Sequence, residues 1–278
     1  MKRMTRLILS FLFVGVSVCL VWWGLVYLLQ ERVLFPRDMT PHPLPGPPSR
    51  DIEVFQIALE GGGRVEAWYA PPLNQTPGQP SAAVVFFHGN AELIDYQNRI
   101  VQGYRQLGLA VLLVEYRGYG RSSGQPSQQA IRGDAAQFYD QLVQRPEIDP
   151  RRVVFHGRSL GGGLASDLAR VRPPAALVLE STFQSIRAMA SGLGVPAFLI
   201  KHPLRTDQVL RQNHIPVLIF HGSHDEIIPP SHGRALRDLA EDPVYIEFPC
   251  GHNDFPGQAN EDAYWEAIGR FLKDHGVL

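Results

Sequence analysis

Beyond residue 50, the sequence alternates between short apolar blocks and amphipathic stretches of helical length, and this alternation limits the possible folds. Blocks such as AVLLV at residues 110–114 are too short for most helices and are apolar throughout, as expected of strands that are buried on both faces of a sheet. The alternation therefore predicts a mostly parallel sheet flanked by helices. Eight strands are expected: Ile52–Leu59, Arg64–Ala70, Ala82–Phe87, Ala110–Glu115, Val153–His156, Ala175–Glu180, Val217–His221 and Val244–Phe248.

The stretches between these strands complete the predicted order of elements. Three consecutive glycines, residues 61–63, separate the first two strands and indicate an antiparallel hairpin. Five helices are expected: Glu92–Leu107, Ser127–Val143, Leu160–Val171, Ser231–Glu241 and Glu261–His275. Residues 51–278 should therefore form one α/β domain.

The N-terminal segment has a different character. Residues 7–29 carry no charge over 23 positions, which is long enough for a helix that crosses a membrane. Three basic residues lie in the stub at residues 1–6, whereas Arg32 and Arg37 follow the run, so the positive-inside rule favours a cytoplasmic stub and a domain outside the cytoplasm, in the periplasm or a lumen. Residues 30–50 contain six prolines and indicate an extended spacer that holds the domain off the bilayer.

Composition excludes several classes of function. A formal net charge of −1 gives no basic surface for a nucleic acid. Cys19 lies in the apolar run and Cys250 near the other end of the chain, so no disulfide is expected. No cluster of His, Cys and Asp has the spacing of metal ligands, and no glycine-rich dinucleotide motif follows a strand, so neither a metal nor a cofactor is predicted.

The most informative motif is G-x-S-x-G at residues 157–161, with Ser159 at its centre. It lies where a predicted strand ends and a helix begins, which is the context that this motif requires. Glycines on either side of the serine allow a turn too tight for side chains and lift the hydroxyl clear of the sheet. Ser159 is therefore the candidate nucleophile.

A serine hydroxyl needs a base, and the base needs a carboxylate. His252 follows the last strand and Asp225 follows the strand before it, so both should lie at the same edge of the sheet as Ser159. The rival acids, each near the end of one of the last strands, are Glu180, Glu226 and Asp254.

An oxyanion formed during acyl transfer needs two N–H donors that are already in position. One should be the backbone N–H of Leu160, at the first turn of the helix that follows the serine. We assign the other to the backbone N–H of Asn90, in the turn after the third strand.

Five motifs, in register along the chain, resemble those of the α/β-hydrolase superfamily: Phe87–Asn90, Glu115–Ser122, Gly157–Gly162, His221–Asp225 and Gly251–Phe255. Together with the anchor and spacer, they resemble the membrane-anchored α/β-hydrolase-domain branch, which includes protein depalmitoylases and lysophospholipases. The resemblance implies an α/β-hydrolase fold and ester or thioester hydrolysis without a cofactor. The palmitoyl-removing members carry an N-terminal cysteine cluster, whereas this chain has an apolar run.

Between the sixth and seventh strands lies a short apolar stretch that favours a small flap beside Ser159. Phe183, Met189 and Phe198 are its candidate substrate-binding residues, and an acyl or lipid-like ester is the expected substrate. The flap would either receive an acyl chain or only cover the sheet. A serine peptidase on the same fold and a catalytically idle membrane scaffold remain as alternatives.

Overall fold

A computed structural model describes residues 2–75 and 78–278 of the chain. Its central feature is an eight-stranded sheet, and all eight predicted strands are confirmed. The strands are Glu53–Ala58 (β1), Arg64–Ala70 (β2), Ser81–Phe87 (β3), Ala110–Val114 (β4), Ile148–Arg158 (β5), Ala176–Glu180 (β6), Val217–Gly222 (β7) and Val244–Phe248 (β8).

The strands lie in the order β1-β2-β4-β3-β5-β6-β7-β8. β1 and β2 pair antiparallel, as the three glycines predict, and β2 also runs antiparallel to β4. The remaining neighbours are all parallel. The carboxyl ends of β3 to β8 therefore share one edge of the sheet, where the loops that carry the motifs come together.

Eight α-helices accompany the sheet in the part of the chain that the structure describes. They are Lys2–Leu34 (α1), Asn98–Gln106 (α2), Gln128–Val143 (α3), Leu160–Ala169 (α4), Ile186–Ala190 (α5), Thr206–Gln212 (α6), Pro230–Arg237 (α7) and Glu261–Asp274 (α8). α2 is shorter than expected because residues 94–96 form a separate 3₁₀ turn.

Both faces of the sheet are buried, and β3 demonstrates this residue by residue. Val85 and Phe87 pack in one hydrophobic cluster, while Val84 and Phe86 pack in the other. The side chains of a strand point to alternate faces, so a strand covered on both sides must be apolar at every position. This explains why the sequence shows apolar blocks rather than alternation.

β5 begins five residues earlier than predicted. Ile148 pairs with Ser81 of β3, after which the register shifts before Val153. Pro150 and Arg151 in this extension are exposed, so its composition is that of a loop although its backbone continues the strand. The apolar pattern identifies only the buried part of the strand.

α1 is long and apolar enough to cross a membrane, since its described part includes a window with a mean hydropathy of 2.3. None of that window is buried against the rest of the protein. By length and composition, α1 suits either a membrane anchor or a signal sequence. The helix continues to Leu34, so residues 30–34, which we expected in the spacer, are helical.

The proline-rich segment lies against the α/β domain instead of holding it away. The ring of Phe35 is buried and packs edge-on to the ring of His202, with 5.4 Å between their centroids. Further along, the Leu44 N–H donates to Asp95 Oδ1 over 2.8 Å, and the Tyr96 hydroxyl donates to the carbonyl of His42 over 2.7 Å. These contacts use single side chains that a composition-based prediction of a spacer does not detect.

Replacement of Phe35 tests this attachment. We expect Phe35→Ala to lower the free energy of unfolding by about 3–5 kcal/mol, because the substitution removes a buried ring and leaves a cavity. Chemical denaturation of the full chain in detergent measures the effect. Met39→Ala, in the same segment but 76% exposed, is the control and should change stability by less than about 0.5 kcal/mol. If Phe35→Ala lowered the free energy of unfolding no more than Met39→Ala does, the segment would not be docked.

Candidate active site

Ser159 occupies the tight turn between β5 and α4. Its backbone φ is 54°, a value that non-glycine residues rarely adopt. A Cβ atom on Gly157 would lie 2.2 Å from the carbonyl oxygen of Gly161, and one on Gly161 would lie 2.0 Å from that of Phe87. Both glycines are therefore required by close backbone contact. The turn is held by the Ser159 N–H, which donates to the carbonyl of Glu180 over 2.8 Å.

The structure brings the three predicted residues Ser159, His252 and Asp225 together. His252 Nε2 lies 3.0 Å from Ser159 Oγ, and His252 Nδ1 lies 2.7 Å from Asp225 Oδ2. A carboxylate can only accept, so His252 Nδ1–H donates to Asp225, which leaves Nε2 as the acceptor for the serine hydroxyl. All three side chains are nearly buried. This is the geometry of a serine activated by a histidine base.

Asp225 is held as a carboxylate by its surroundings. Burial alone would raise its pKa, but hydrogen bonds from His252 and from the backbone N–H of Ile228 outweigh burial and lower it. The Ile228 N–H donates to Asp225 Oδ1 over 2.8 Å, and that of Ile227 over 3.0 Å. Burial also lowers the pKa of the neighbouring His221, whose Nε2 lies 2.8 Å from the Ile228 carbonyl oxygen and 3.5 Å from Asp225 Oδ2. Asp225 therefore faces His252 in its ionised form.

The three rival acids have other contacts. Asp254 accepts a hydrogen bond from the Gly251 N–H over 2.8 Å and so supports the loop of His252. Glu226 is exposed. Glu180 is fully buried and accepts from the Tyr264 hydroxyl over 2.8 Å. Of the four candidates, Asp225 is the carboxylate that hydrogen-bonds to the His252 ring.

The two predicted oxyanion donors lie at the expected turns. Leu160 is the first residue of α4, and Asn90 lies in the turn after β3, which the helix approaches at Gly161. In residues 2–75 and 78–278, the backbone N–H groups of Leu160 and Asn90 donate no hydrogen bond. Both N–H groups are therefore free to receive an oxygen atom from a substrate.

Buried aromatic hydroxyls fix the turn that contains Asn90. The Tyr116 hydroxyl donates to the carbonyl of His88 over 2.7 Å, and the Tyr119 hydroxyl donates to that of Asn90 over 2.8 Å. His88 Nε2 contacts Glu115 Oε1 at 2.8 Å, and both side chains are fully buried. The tyrosines of the turn at residues 116–122 therefore orient the carbonyls of the turn after β3.

Arg158, which precedes the serine, was missed as a site residue. Its guanidinium donates to the carbonyl of His252 over 2.8 Å, contacts Glu180 Oε1 at 3.0 Å and forms an ion pair with Glu92. Glu92 in turn accepts from the N–H of Gly89 over 3.2 Å. One side chain thus joins the histidine loop to the turn after β3. The available signal was the combination of an arginine within the motif and an acid at the end of the next strand.

Glu180 is the buried counterion of Arg158. Burial would raise its pKa, but the neighbouring His156 and the positive charges of Arg158 and Arg99 outweigh burial and lower it to about 2. Burial lowers the pKa of the His156 imidazole. Glu180, one of the rival candidates for the acid beside His252, therefore has a structural role in positioning Arg158.

The three predicted substrate-binding residues lie in different environments. Phe183 is 4% exposed and packs against α4 at Gly163, so it belongs to the hydrophobic core. Met189 is half-buried against the same cluster, whereas Phe198 is 82% exposed. We expected them to face a substrate together, but Phe183 is taken up by the core, where an aromatic ring fills the space beside the glycines of α4.

The described residues contain no group of three or more His, Cys, Asp or Glu side chains placed to hold a metal ion. Cys19 is exposed on α1, whereas Cys250 is buried, and burial raises the pKa of its thiol to about 11. Both cysteines are free.

Comparison with known proteins decides the family. The chain is 32% identical to the alpha/beta hydrolase domain-containing protein WAV2 of Arabidopsis thaliana, over 80% of this chain and 79% of that protein. It is 27% identical to protein bem46 of Schizosaccharomyces pombe, over 95% and 92% of the two chains. The chain belongs to the α/β-hydrolase superfamily, in the bem46-like branch.

Two further matches agree with this assignment. The family described as serine aminopeptidase, S33, matches residues 78–206 of this α/β hydrolase. Among solved structures, esterase 2 of Thermogutta terrifontis superimposes with a TM-score of 0.65 and 20% sequence identity, covering 84% of this chain and 95% of that one. At this identity the superposition supports the fold alone, and the fold is that of the α/β hydrolases.

The pair of Arg158 and Glu180 gives a prediction about the stability of the hydrolase. Arg158→Met leaves a buried carboxylate without its cation and should cost about 3–5 kcal/mol in the free energy of unfolding. Adding Glu180→Gln removes the stranded charge but keeps an acceptor for Tyr264, so the double variant should regain part of the loss. Chemical denaturation measures both. The control is Arg270→Met, in an ion pair whose side chains are both 69% exposed, and should cost less than about 1 kcal/mol.

The sign of the pH dependence follows from the lowered pKa of Glu180. A carboxyl whose folded pKa is lowered stabilises the fold above its ordinary value of 4.5, and this contribution is lost as the pH falls toward about 2. The gap between wild type and Arg158→Met should therefore shrink below pH 4.5. A constant gap, or a double variant less stable than Arg158→Met, would contradict this account.

Proposed function

We propose that this chain is a membrane-anchored serine hydrolase that cleaves carboxylic esters or thioesters, with acyl or lipid-like substrates. The observation that carries the proposal is the chain of hydrogen bonds from Ser159 Oγ through His252 to Asp225, with distances of 3.0 and 2.7 Å. Buried acid, base and nucleophile in this order have no evident structural purpose. They do match the requirements of acyl transfer.

The first half of the reaction forms an acyl-enzyme. Ser159 Oγ attacks the carbonyl carbon of the ester while its proton passes to His252 Nε2, and Asp225 stabilises the imidazolium that results. The N–H groups of Asn90 and Leu160 hold the oxyanion of the tetrahedral intermediate. When the intermediate collapses, the imidazolium returns the proton to the departing alcohol or thiol.

The second half releases the acid. A water molecule gives a proton to His252 Nε2 and attacks the acyl carbonyl, and the same two N–H groups hold the second oxyanion. Ser159 then leaves with the proton from His252, which restores the enzyme. No cofactor takes part in either half.

Two alternatives have some support. The serine aminopeptidase family match favours a peptidase, and the fold would also suit an idle scaffold. The esterase proposal rests on the apolar surroundings of the flap and on α1, which suit acyl or lipid-like esters. Matched p-nitrophenyl ester and p-nitroanilide substrates with the same acyl group separate ester hydrolysis from amide hydrolysis.

Labelling with a fluorophosphonate tests the nucleophile. Wild type should be labelled, and Ser159→Ala should abolish labelling and reduce turnover by several orders of magnitude, because no other hydroxyl contacts His252 Nε2 in the described residues. Ser223→Ala, at the same edge of the sheet, is the control and should be labelled like wild type. Labelling of Ser159→Ala at the wild-type rate would favour the idle scaffold.

Turnover measurements distinguish Asp225 from its rival Asp254 as the acid beside His252. Asp225→Asn should lower kcat by roughly 10⁴, because an amide favours the wrong tautomer of His252. Asp254→Asn is the matched change in the loop of His252 and should have a smaller effect, since the Asp254 carboxylate accepts its hydrogen bond from the backbone N–H of Gly251 and not from the His252 ring. The reverse ranking would show that the acid has been misassigned.

Membrane topology is the last element of the proposal. Residues 7–29 form an uncleaved anchor, and the excess of basic residues before this run places the α/β domain outside the cytoplasm. Protease added to intact cells or spheroplasts should then digest the chain beyond residue 50. A domain that is protected until the membrane is broken would have the opposite orientation, and a mature chain that starts after residue 29 would identify a signal sequence.

A further inference from the structure

An uncharged apolar segment projects beside α1 on the surface of the domain. Residues 191–200, here called the flap tip, include two short 3₁₀ turns and contain no charged residue. Leu193 is 56% exposed and Phe198 is 82% exposed. Apolar side chains concentrated in this way on a soluble surface mark an interaction site. What covers them follows from the contacts of the flap tip with α1.

Two tryptophans of α1 hold the flap tip through its backbone. The indole N–H of Trp22 donates to the carbonyl of Leu193, and that of Trp23 donates to the carbonyl of Gly194, both over 3.0 Å. Polar groups placed in hydrocarbon must be paired inside the protein, because no water is available there. These bonds pair two indole donors with two exposed loop carbonyls, so four polar groups that hydrocarbon would leave unpaired are satisfied within the protein.

A group of polar contacts lies farther along α1 and marks the level of the boundary between hydrocarbon and water. Lys201 Nζ lies 3.2 Å from Glu31 Oε1 and 4.4 Å from the centre of the Tyr27 ring. Gln30 donates to the carbonyl of Leu199 over 2.9 Å. Tyrosine and lysine are the residue types that settle between hydrocarbon and water. Trp22 lies five residues before Tyr27 on the helix, which places it roughly 8 Å deeper.

We propose that the flap tip is a second membrane contact, which inserts into the bilayer beside α1 and turns the Ser159 edge of the sheet toward the lipid. The proposal rests on the anchor proposed above but not on hydrolysis. The occupant of the apolar surface is the bilayer itself, since α1 reaches that depth with the flap tip attached. Arg187 and Lys201, which flank the segment, remain at the headgroup level.

The base of the flap is joined directly to the nucleophile turn. The Thr182 hydroxyl donates to the carbonyl of Ser159 over 2.7 Å, and Ser185 caps α5, which leads into the flap tip. An inserted flap tip therefore fixes the orientation of the site relative to the membrane surface. The substrate class that fits this orientation is an ester whose acyl chain is already in the bilayer.

Depth measurement tests insertion without using activity. In the Cys19→Ala background, Leu193→Cys and Phe198→Cys are labelled with the fluorophore NBD, and the full chain is reconstituted in phosphatidylcholine vesicles. Buried Cys250 should not react, which the background protein verifies. Val171→Cys is the matched control, because Val171 is 43% exposed just beyond the other end of α4. Nitroxide on the lipid acyl chains should quench both flap labels and not the control.

Other results of the depth measurement would overturn the proposal. Aqueous iodide that quenches the flap labels as strongly as the control would place the flap tip in water. If neither iodide nor lipid nitroxide quenched the fluorescence of the flap labels, protein rather than lipid would cover this surface.

Activity then tests the orientation of the site. Leu193→Asp should lower hydrolysis of p-nitrophenyl palmitate held in vesicles by about tenfold or more, because a carboxylate opposes insertion. Hydrolysis of soluble p-nitrophenyl butyrate should stay within about twofold of wild type, since the Leu193 side chain is exposed and has no hydrogen bond to a site residue in the part of the chain that the structure describes. Val171→Asp should spare both esters. Equal losses on both esters would overturn lipid-side access, and a wild type that cleaves neither would overturn the proposed hydrolysis while the labels still report insertion.

Discussion

The first turn of α4 lies against the end of β3, and the site depends on this backbone contact. At Gly161, a single Cβ atom would come within 2.0 Å of the carbonyl oxygen of Phe87. The contact brings the free N–H groups of the helix beside the turn of Asn90, and it forces the backbone of Ser159 into a strained conformation. Any side chain at Gly161 would push the first turn of α4 away from the turn of Asn90. The contact that packs α4 against the sheet is therefore also the contact that positions these N–H groups.

Two buried polar pairs hold the loops around this contact. The pair of His88 and Glu115 sits below the turn of Asn90, and the pair of Arg158 and Glu180 joins the loop of His252 to the sheet. A buried ion pair adds little net stability, because desolvation offsets the attraction, but breaking one leaves an expensive lone charge. Such pairs define one arrangement of the loops and penalise others. This suits a site that needs hydrogen bonds of fixed length between residues from three different strands.

Sequence reasoning succeeded where one residue type has one physical explanation. Glycines around Ser159 predict the turn, and apolar blocks predict strands buried on both faces, so the sheet and the positions of Asp225 and His252 could be anticipated. Prediction from the sequence failed where the residue that a side chain contacts is distant along the chain. Phe35 docks a proline-rich segment through a single ring, and Phe183 packs into the core beside α4. Both outcomes depend on space left by other elements, which local patterns do not record.

The same limit applies to the relation between α1 and the domain. A domain on a free linker samples every orientation above a membrane, so its site finds an embedded ester only in a fraction of them. Here contacts at Trp22, Gln30 and Phe35, the residue after α1, join the helix to the domain over about 20 Å. Because these contacts span more than three helical turns, they resist rotation as well as separation. For the proposed membrane-anchored hydrolase, the orientational entropy is then lost once, on folding, and need not be lost again when each substrate molecule binds.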